Sequence, residues 1–418
     1  MLRVNEQYIK YLMNHIGETG NRVAFSSAET QAKIRLVAEM KKLDMDVYTD
    51  EAGNIIGFFY GGNNTPENGA NITTIGTGSH IDSVPKGGNY DGLVGIVSGM
   101  AVIKAIKDQG IKINENIAII AFECEESSVF GKGCLGSKYM SGKIDRDSLR
   151  QITIISSHFD NGLGLTYGQK LDECNKYLQL PLLTNKILFK AFFEAHIEQG
   201  PALVDSGNKI GIVSSIAAPA RTKFTLIGKG GHDGTIPMEK RRDALVGFNE
   251  LYNIYRGLRH ELRIKDRLRT NIGVLDIDGA SVNKIPGKLS TTVSARGLDE
   301  KLMKEFMDEL ITRVDWKLQQ VDISVQTERL EMGTPVHLNP LLVDEVRRNT
   351  ANYYPAMEMW SGAGHDTAYI NDICEEGAVV FFIPNTGISH ESSEFASIDD
   401  ISIAANVLGG IIVNRHNR

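Results

Sequence analysis

Short stretches that combine histidine, carboxylates and glycine mark the places in this sequence where chemistry could occur. The first runs from Gly78 to Gly92 and contains His80, Asp82 and Asp91. His80 and Asp82 are two positions apart, so on a strand end their side chains face the same way. A metal-binding imidazole usually has its other nitrogen held by a carboxylate or carbonyl group. A structural histidine followed by an ordinary helix N-cap would produce the same pattern, so both interpretations stay open for this stretch alone.

The second stretch places acidic residues directly after an apolar segment. Residues 119–122 are apolar, and Glu123, Glu125 and Glu126 follow within four positions. Neighbouring carboxylates repel each other unless a cation lies between them or one of them holds a proton. A divalent cation with one carboxylate as ligand and its neighbour as proton shuttle would satisfy both conditions. A solvated acidic loop is the alternative, but α/β sheets place their ligands at the carboxyl ends of buried strands.

Two further stretches each carry a histidine just after an apolar segment. They are Glu194–Pro201, which contains His196, and Pro384–Glu391, which contains His390. A single histidine in such a place is more often structural. Four clusters of this kind, all at predicted strand ends, favour a metal centre.

A separate group of polar residues occurs between residues 228 and 296. His232 lies in the glycine-rich segment 228–238, and Asn283 and Arg296 follow. A guanidinium fork beside an amide suits a carboxylate anion, although an ordinary turn histidine and a surface arginine are the alternatives.

The elements that carry these residues alternate between strands and helices. Strands are predicted over 72–80 and 116–122, with a helix over 91–108 between them. Ser26 and Glu29 form the pattern of a capping box before a helix, and the polar residues 63–71 predict a loop. This alternation predicts an α/β sandwich with a mostly parallel sheet.

The pattern changes near residue 211, which indicates an inserted domain. Alternating strands are predicted over 221–228, 270–278, 289–297 and 321–330, with amphipathic helices over 237–263 and 302–319. These elements form an α+β unit. We therefore expect a discontinuous catalytic domain of residues 1–212 and 330–418 that is interrupted by a smaller domain of residues 213–329.

Composition limits the classes of function. The chain has 418 residues, a net charge of −7 and 42% hydrophobic residues, which predicts a globular protein with no partner among nucleic acids or anionic membranes. No apolar run is long enough for a membrane span, and no secretion signal is recognisable. The 4 cysteines form no CxxC pair, so a reducing cytoplasm is the expected compartment.

The order of these motifs resembles the dinuclear metallo-amidohydrolases related to aminoacylase and bacterial carboxypeptidases. Four blocks are similar to one branch in particular, the hydantoinase/carbamoylase family: HIEQGP, GHDGTIPM, NKIPG and SGAGHD. That branch contains N-carbamoyl-L-amino-acid hydrolases, allantoate amidohydrolases and β-ureidopropionases. The resemblance covers nearly the whole chain. It implies an aminopeptidase-like α/β/α catalytic domain and an inserted α+β domain that serves as lid and dimer contact in a homodimer.

The resemblance also implies a set of metal ligands. Two divalent ions per subunit are expected, of zinc, manganese, cobalt or nickel. In the family's usual arrangement His80 and His196 share one ion, Glu126 and His390 share the other, and Asp91 bridges both. The departures of this chain from the family pattern, such as Asp233 after the lid histidine and Ser294 before the lid arginine, remove none of these ligands.

Roles in the reaction follow from the same resemblance. Glu125 is expected to act as the general base, Asp82 to orient His80, and His232 to reach in from the second subunit and polarise the substrate carbonyl. The residues expected to hold the substrate are Gln199, Asn283 and Arg296.

The implied reaction is hydrolysis of the ureido C–N bond of an N-carbamoyl-L-amino acid or a related ureido acid. Allantoate is the main alternative substrate, and β-ureidopropionase or an aminoacylase-type deacylase is a weaker one. Other classes are a cysteine amidase built on Cys124 and a binding protein without catalysis. A serine hydrolase is disfavoured because the sequence has no GxSxG elbow.

Overall fold

The structure is a computed structural model that describes residues 2–18, 20–62, 71–155, 163–265, 267–351 and 353–416. Apart from Asn71, the loop predicted over 63–71 lies outside the described residues. The chain divides into two compact units. Unit 1 comprises Met1–Ser214 with Leu338–Arg418, and unit 2 comprises Ser215–His337. Unit 2 is thus a continuous insertion in unit 1. Its roles as a lid and dimer contact stay predictions.

The first segment of the chain builds most of unit 1. Its elements are α1 (Glu6–Gly17), α2 (Ser27–Lys42), β1 (Asp46–Thr49), β2 (Ile55–Phe59), β3 (Ile72–His80), α3 (Leu93–Asp108), β4 (Asn116–Phe122), α4 (Leu135–Met140), α5 (Arg146–Arg150), α6 (Tyr167–Leu178), β5 (Ile187–Ile197), α7 (Ala202–Ser206) and β6 (Ile210–Ile216).

Unit 2 follows. Its elements are β7 (Ala218–Ile227), β8 (Gly231–His232), a 3₁₀ turn (Met238–Lys240), α8 (Ala244–Glu261), β9 (Leu268–Ile277), β10 (Lys284–Ile285), β11 (Lys288–Gly297), α9 (Glu300–Gln319), β12 (Ser324–Met332) and β13 (Val336–His337).

The last segment completes unit 1. Its elements are α10 (Pro340–Thr350), β14 (Ala356–Ser361), α11 (Thr367–Ile370), a 3₁₀ turn (Asn371–Ile373), β15 (Ala378–Ile383) and α12 (Ile398–His416).

The sheet of unit 1 runs in the order β1-β2-β4-β3-β5-β15-β6, and β14 pairs with β6. The central strands β4, β3, β5 and β15 are parallel to one another, while β1, β2 and β6 pair antiparallel. Strands β4 and β15 are buried along their whole length, as expected for strands covered by helices on both faces. The predicted α/β class is confirmed, and the sheet is parallel only in its centre.

Helices pack on this sheet in two series. In one series α3 contacts β3, β4 and β5, α1 and α12 pack against α3, and α10 packs against α12. In the other, α2 contacts β1 and β2, α4 contacts β4, and α11 contacts β5 and β15. The parallel strands therefore lie in the core, and their carboxyl ends meet at one edge of the sheet.

Unit 2 is an antiparallel sheet with two long helices. The strand order is β12-β7-β11-β9, and α8 and α9 pack on each other and on β7 and β11. Burial alternates along β7 and β11, as it does in a sheet with one face on the core. Phe224, Phe306 and Leu310 are among its buried residues. The predicted α+β class of the insertion is confirmed.

Candidate metal and catalytic site

His80 is the last residue of β3, and a glycine brings that strand end close to β4. Gly78 has φ +139°, and a Cβ at this position would lie 2.0 Å from the carbonyl oxygen of Ile120, so no other residue fits. Nδ1 of His80 lies 3.0 Å from the carbonyl oxygen of Asp82. The carboxylate of Asp82 is farther, at 3.5 Å from Nδ1. The side chain of His80 is therefore oriented mainly by the backbone of Asp82.

The carboxylate of Asp82 instead holds the acidic turn, which we define as residues 123–126 after β4. Its two oxygens accept hydrogen bonds from the backbone N–H groups of Glu125 (3.2 Å) and Glu126 (3.0 Å). The side chain of Asp82 is fully buried. Asp82 thus ties the segment after β3 to the segment after β4, which carries two of the predicted functional residues.

Asp91 reaches the centre of the site because the next residue is glycine. Gly92 has φ +68°, and a Cβ on it would lie 2.5 Å from the carbonyl oxygen of His80 and 2.6 Å from its ring. Asp91 itself is buried. A side chain at position 92 would push Asp91 and His80 apart.

Two groups of candidate ligands contain Asp91, and the first consists of His80, Asp91 and His196. Oδ1 of Asp91 lies 3.1 Å from Nε2 of His196 and 3.9 Å from Nε2 of His80. Nδ1 of His196 lies 2.9 Å from the carbonyl oxygen of Ile197. Because a carbonyl faces Nδ1 in both rings, the proton of each neutral imidazole belongs on Nδ1 and the Nε2 lone pairs point at Asp91.

The second group consists of Asp91, Glu126 and His390. Nε2 of His390 lies 3.3 Å from Oε1 of Glu126 and 3.4 Å from Oδ2 of Asp91. Hydrogen bonds to these two carboxylates raise the pKa of His390 to about 10. A position that favours a proton so strongly also favours a cation.

Asp91 therefore belongs to both groups, with one carboxylate oxygen facing each. Its Oδ2 also accepts hydrogen bonds from Nε2 of Gln199 (2.8 Å) and Oγ of Ser389 (3.1 Å). Its Oδ1 is buried and, among the described residues, has no hydrogen-bond partner. A buried carboxylate oxygen without a donor, facing two imidazole lone pairs, fits a divalent cation. The residues present therefore suit the metal that the resemblance implies.

Glu125 lies beside these groups without joining either. Its Oε2 is 4.0 Å from Nε2 of His80. Burial raises the pKa of Glu125 to about 7, and the adjacent Glu126 adds to the rise while His80 opposes it. A carboxyl group with this pKa exchanges a proton readily near neutral pH, which is what a general base needs.

Glu394 and Ser389 position Asp91, and neither was predicted from the sequence. Oε1 of Glu394 accepts hydrogen bonds from the backbone N–H groups of Tyr90 and Asp91, each at 3.1 Å. Oε2 of Glu394 accepts one from Oγ of Ser389 at 2.7 Å. The only signal in the sequence was that Glu394 follows the Ser389-His390 pair, four positions after His390. This signal does not indicate that Glu394 contacts the loop before α3.

The remaining predicted residues belong to unit 2. His232 is exposed in β8 and pairs with Lys284, the neighbour of Asn283. Arg296 lies near the end of β11, opposite Pro219. It is eight residues beyond Lys288, the first residue of that strand, which corresponds to about 26 Å along an extended strand. His232 and Asn283 thus lie together, and Arg296 lies at the far end of the same unit.

The structure contradicts the alternative in which Cys124 is a nucleophile. Its side chain is fully buried, and its thiol donates a hydrogen bond to Oε1 of Glu123 at 3.6 Å. Burial raises the pKa of Cys124 well above its ordinary value. Because the thiolate is the reactive form, this cysteine is inert.

Comparison with known proteins identifies the family. Residues 76–414 match the model of Peptidase family M20/M25/M40. The chain belongs to this family. Members are metal-dependent, and the two candidate ligand groups lie within the matched residues.

The curated relatives cover nearly the whole chain. An N-carbamoyl-L-amino-acid amidohydrolase of Pseudomonas sp. is 29% identical over 97% of each chain. A ureidoglycolate hydrolase of rice is 30% identical over 93% of this chain and 78% of its own. An allantoate amidohydrolase of Escherichia coli is 29% identical over 93% of this chain and 90% of its own.

A solved structure agrees with these relatives. An amidase of the hydantoinase/carbamoylase family from Burkholderia multivorans superposes with a TM-score of 0.83 at 27% identity, covering 100% of this chain and 99% of that one. The predicted relationship to this branch of amidohydrolases is confirmed. No helix among the described residues is long and apolar enough to cross a membrane.

Proposed function

We propose that this protein hydrolyses the ureido C–N bond of an N-carbamoyl-L-amino acid or a closely related ureido acid. The observation that carries the proposal is the position of Asp91, whose two carboxylate oxygens each face a separate histidine-containing group. The relatives are amidohydrolases of ureido compounds by name, which supports this reaction class. The products would be the amino acid, ammonia and carbon dioxide.

The residues that would hold metal are those of the two groups. His80 and His196 would bind one ion, Glu126 and His390 the other, and Asp91 would bind both. Divalent ions held there would supply Lewis-acid polarisation of the ureido carbonyl and lower the pKa of water. The identity of the metal stays a prediction among zinc, manganese, cobalt and nickel.

The protein's own contribution to bond cleavage centres on Glu125. Its carboxylate is placed to accept a proton from the attacking water and to return it to the leaving nitrogen, which departs as ammonia or an amine. Asp82 holds the backbone of Glu125 through a hydrogen bond, so the base approaches from a defined direction. A defined approach matters because a small misplacement of a catalytic group reduces the rate strongly.

The substrate would be held by Gln199, Asn283 and Arg296, with His232 at the carbonyl. The separation along β11 limits how this can happen, because Asn283 and Arg296 of the same chain are too far apart to share one small carboxylate. If both residues contact the same substrate, they come from different chains. The predicted homodimer with a shared site would meet this condition.

Two rival substrates are supported by the names of relatives. Allantoate is the main alternative from the sequence, and the Escherichia coli relative is an allantoate amidohydrolase. Ureidoglycolate is added because the rice relative is a ureidoglycolate hydrolase. Both carry a carboxylate next to a ureido group, so the same residues would hold them. A β-ureidopropionase activity stays a weaker alternative, and a cytoplasmic location stays a prediction from the sequence.

Ammonia release from a panel of ureido acids tests the proposal. The protein would be stripped with a chelator, reloaded separately with Mn²⁺, Co²⁺, Zn²⁺ or Ni²⁺, and given N-carbamoyl-L-methionine, N-carbamoyl-L-alanine, N-carbamoyl-β-alanine, allantoate and ureidoglycolate. We expect the highest kcat/KM with a carbamoyl-L-amino acid. A clear preference for allantoate or ureidoglycolate would replace our substrate, and no turnover of any compound by metal-loaded protein would overturn the reaction class.

A further inference from the structure

A group of three ionisable side chains is buried behind the acidic turn and has no part in the proposed chemistry. Lys33 of α2 lies between Glu29, one turn earlier on the same helix, and Glu123, the first residue after β4. Its Nζ is 2.5 Å from Oε2 of Glu123 and 2.9 Å from Oε1 of Glu29. The exposed fractions of the three side chains are 2% for Lys33, 1% for Glu123 and 0% for Glu29.

Burying such a group destabilises the folded state. Removing a charge from water costs several kcal/mol per ion in real proteins, and apolar residues of similar size often stabilise a core as well or better. Burial lowers the pKa of Lys33, but the charges of Glu123 and Glu29 outweigh it and raise that pKa well above its ordinary value, so the lysine is charged. Stability alone therefore does not explain why these three side chains are buried together.

The location of Glu123 gives a reason for this arrangement, because the backbone takes an unusual conformation at the next residue. Cys124 has φ +53°, a left-handed conformation that a residue other than glycine adopts only when its surroundings hold it there. Glu123 lies on one side of this residue, with its side chain turned into the core. Glu125 and Glu126 lie on the other side, and their side chains face His80 and His390.

Besides Asp82, two other segments hold the backbone of the turn through hydrogen bonds. The N–H of Glu123 donates to Oδ1 of Asn54 at 2.9 Å. The carbonyl oxygens of residues 123, 124 and 125 accept from the N–H groups of Gly136, Leu135 and Cys134, at 2.8, 3.0 and 2.8 Å. The side chain of Glu123 anchors the turn on the core side through its contact with Lys33.

We propose that Lys33 and Glu123 form a positioning pair that sets the direction in which the turn leaves β4 and thereby aims Glu125 and Glu126 at the metal and substrate. The pair acts through the turn and touches neither substrate nor metal. This inference rests on the proposed function, since it requires Glu125 to act on a substrate.

A double variant separates positioning from plain stability. Replacing both members by methionine, Lys33→Met with Glu123→Met, removes the pair. Glu29 then loses its contact with Lys33, but burial raises the pKa of Glu29 well above its ordinary value, so this side chain can stay neutral. We expect thermal stability close to that of the wild type and retained metal, but a kcat lower by a factor of 10 or more with KM within about threefold. Lys33→Met alone should unfold at a lower temperature, because it leaves two buried carboxylates side by side.

A matched control uses a second, largely buried ion pair of unit 1 that lies away from the turn and whose arginine also contacts the exposed Glu376. Nε of Arg415 is 2.7 Å from Oε2 of Glu345, and their side chains are 9% and 6% exposed. Arg415→Met with Glu345→Met should leave kcat unchanged. Wild-type turnover on the best ureido acid is measured first, so a failure of the proposed function is recognised before any variant is compared.

Each outcome bears on the inference. A stable double variant with wild-type kcat would show that the pair only supports the fold and would overturn the proposal. If the double variant does not fold, Glu123→Gln decides, since it keeps an acceptor for Lys33 at nearly the same size. A kcat loss of threefold or more in Glu123→Gln at unchanged KM supports positioning, and an unchanged kcat overturns it.

Discussion

Cys134 lies with its Sγ 3.2 Å from Oε1 of Glu125, so that its thiol donates a hydrogen bond to the proposed general base. Cys134 immediately precedes α4 and has φ +53°. Its backbone N–H also donates to the carbonyl oxygen of Glu125 at 2.8 Å. Cys134 therefore contacts both the main chain and the carboxylate of Glu125. The N–H of Glu125 is held separately, by the carboxylate of Asp82.

Removing the thiol should affect catalysis more than binding. We expect Cys134→Ala to lower kcat by about twofold to tenfold, the range of one hydrogen bond of 0.5–1.5 kcal/mol, with little change in KM. Cys134→Ser keeps a donor and should retain most of the activity. Cys374→Ala is the control, since that partly buried cysteine lies outside the site. Equal kcat values for the alanine and wild-type proteins would show that the thiol does not position Glu125.

The base itself is tested by Glu125→Gln. Because glutamine has the same shape but cannot accept the proton, the variant should keep its fold and metal content while kcat falls by about 10²–10⁴-fold. Turnover and elemental analysis are measured on the same preparation. The exposed Glu391, next to His390, provides the control variant Glu391→Gln, which should be nearly fully active. A Glu125→Gln protein that keeps normal kcat would move the base to another residue.

Much of the site could be predicted because its residues stand at recognisable points of the chain. His80 ends β3 and His196 is the next-to-last residue of β5, while Glu126 follows β4 closely. Parallel neighbouring strands bring such positions to one edge of the sheet. The strands predicted over 72–80 and 116–122 coincide with β3 and β4, whereas β5 was expected only as an apolar segment before His196.

What could not be predicted depends on contacts between distant segments. Lys33 and Glu123 are 90 positions apart, and α2 shows no local pattern that distinguishes a buried lysine from an exposed one.

The starts of two helices also differ from the prediction. The helix predicted from residue 237 begins instead at Ala244, where Asp243 caps it, because Met238–Lys240 forms a 3₁₀ turn first. The capping box at α2 is also incomplete. Ser26 caps the helix, but Oε2 of Glu29 accepts from the N–H of Phe25.

Metal binding should respond differently to changes in the shared and unshared ligands. Asp91→Asn alters the one carboxylate that faces both groups, so we expect weakened binding of both ions and loss of activity. His390→Ala changes only the second group and should leave about one tightly held ion per chain. Titration of metal into chelator-treated protein, followed by elemental analysis, measures both stoichiometries. Equal metal content in the two variants would contradict a bridging role for Asp91.

Stability should depend on pH through Asp50, which supports the acidic turn indirectly. Its carboxylate accepts from Nδ2 of Asn54 at 2.7 Å, and Oδ1 of Asn54 in turn accepts from the N–H of Glu123. Burial raises the pKa of Asp50 to about 6. Because the native state then binds the proton more tightly than the unfolded state, the stability from this group is full below about pH 4 and is lost as the pH rises through 6.

Comparison with Asp50→Asn isolates this effect, since asparagine does not titrate. The free energy of unfolding of the wild type relative to the variant should decrease by about 1 kcal/mol between pH 5 and pH 7.5. Urea unfolding at several pH values measures the difference. A difference that is constant across this range would mean that Asp50 has an ordinary pKa in the folded protein.

The distance between Asn283 and Arg296 leads to a test of the shared site. If His232 and Asn283 of one chain complete the site built on Glu125 of another, then His232→Ala and Glu125→Gln proteins should each be inactive alone. Heterodimers of the two have one site with both mutations and one with neither. Co-refolding an equal mixture yields about half heterodimers, so roughly a quarter of the wild-type activity should return. If co-refolded dimers stay inactive although exchange is shown by differently tagged chains, His232 acts within its own chain or has no role in catalysis.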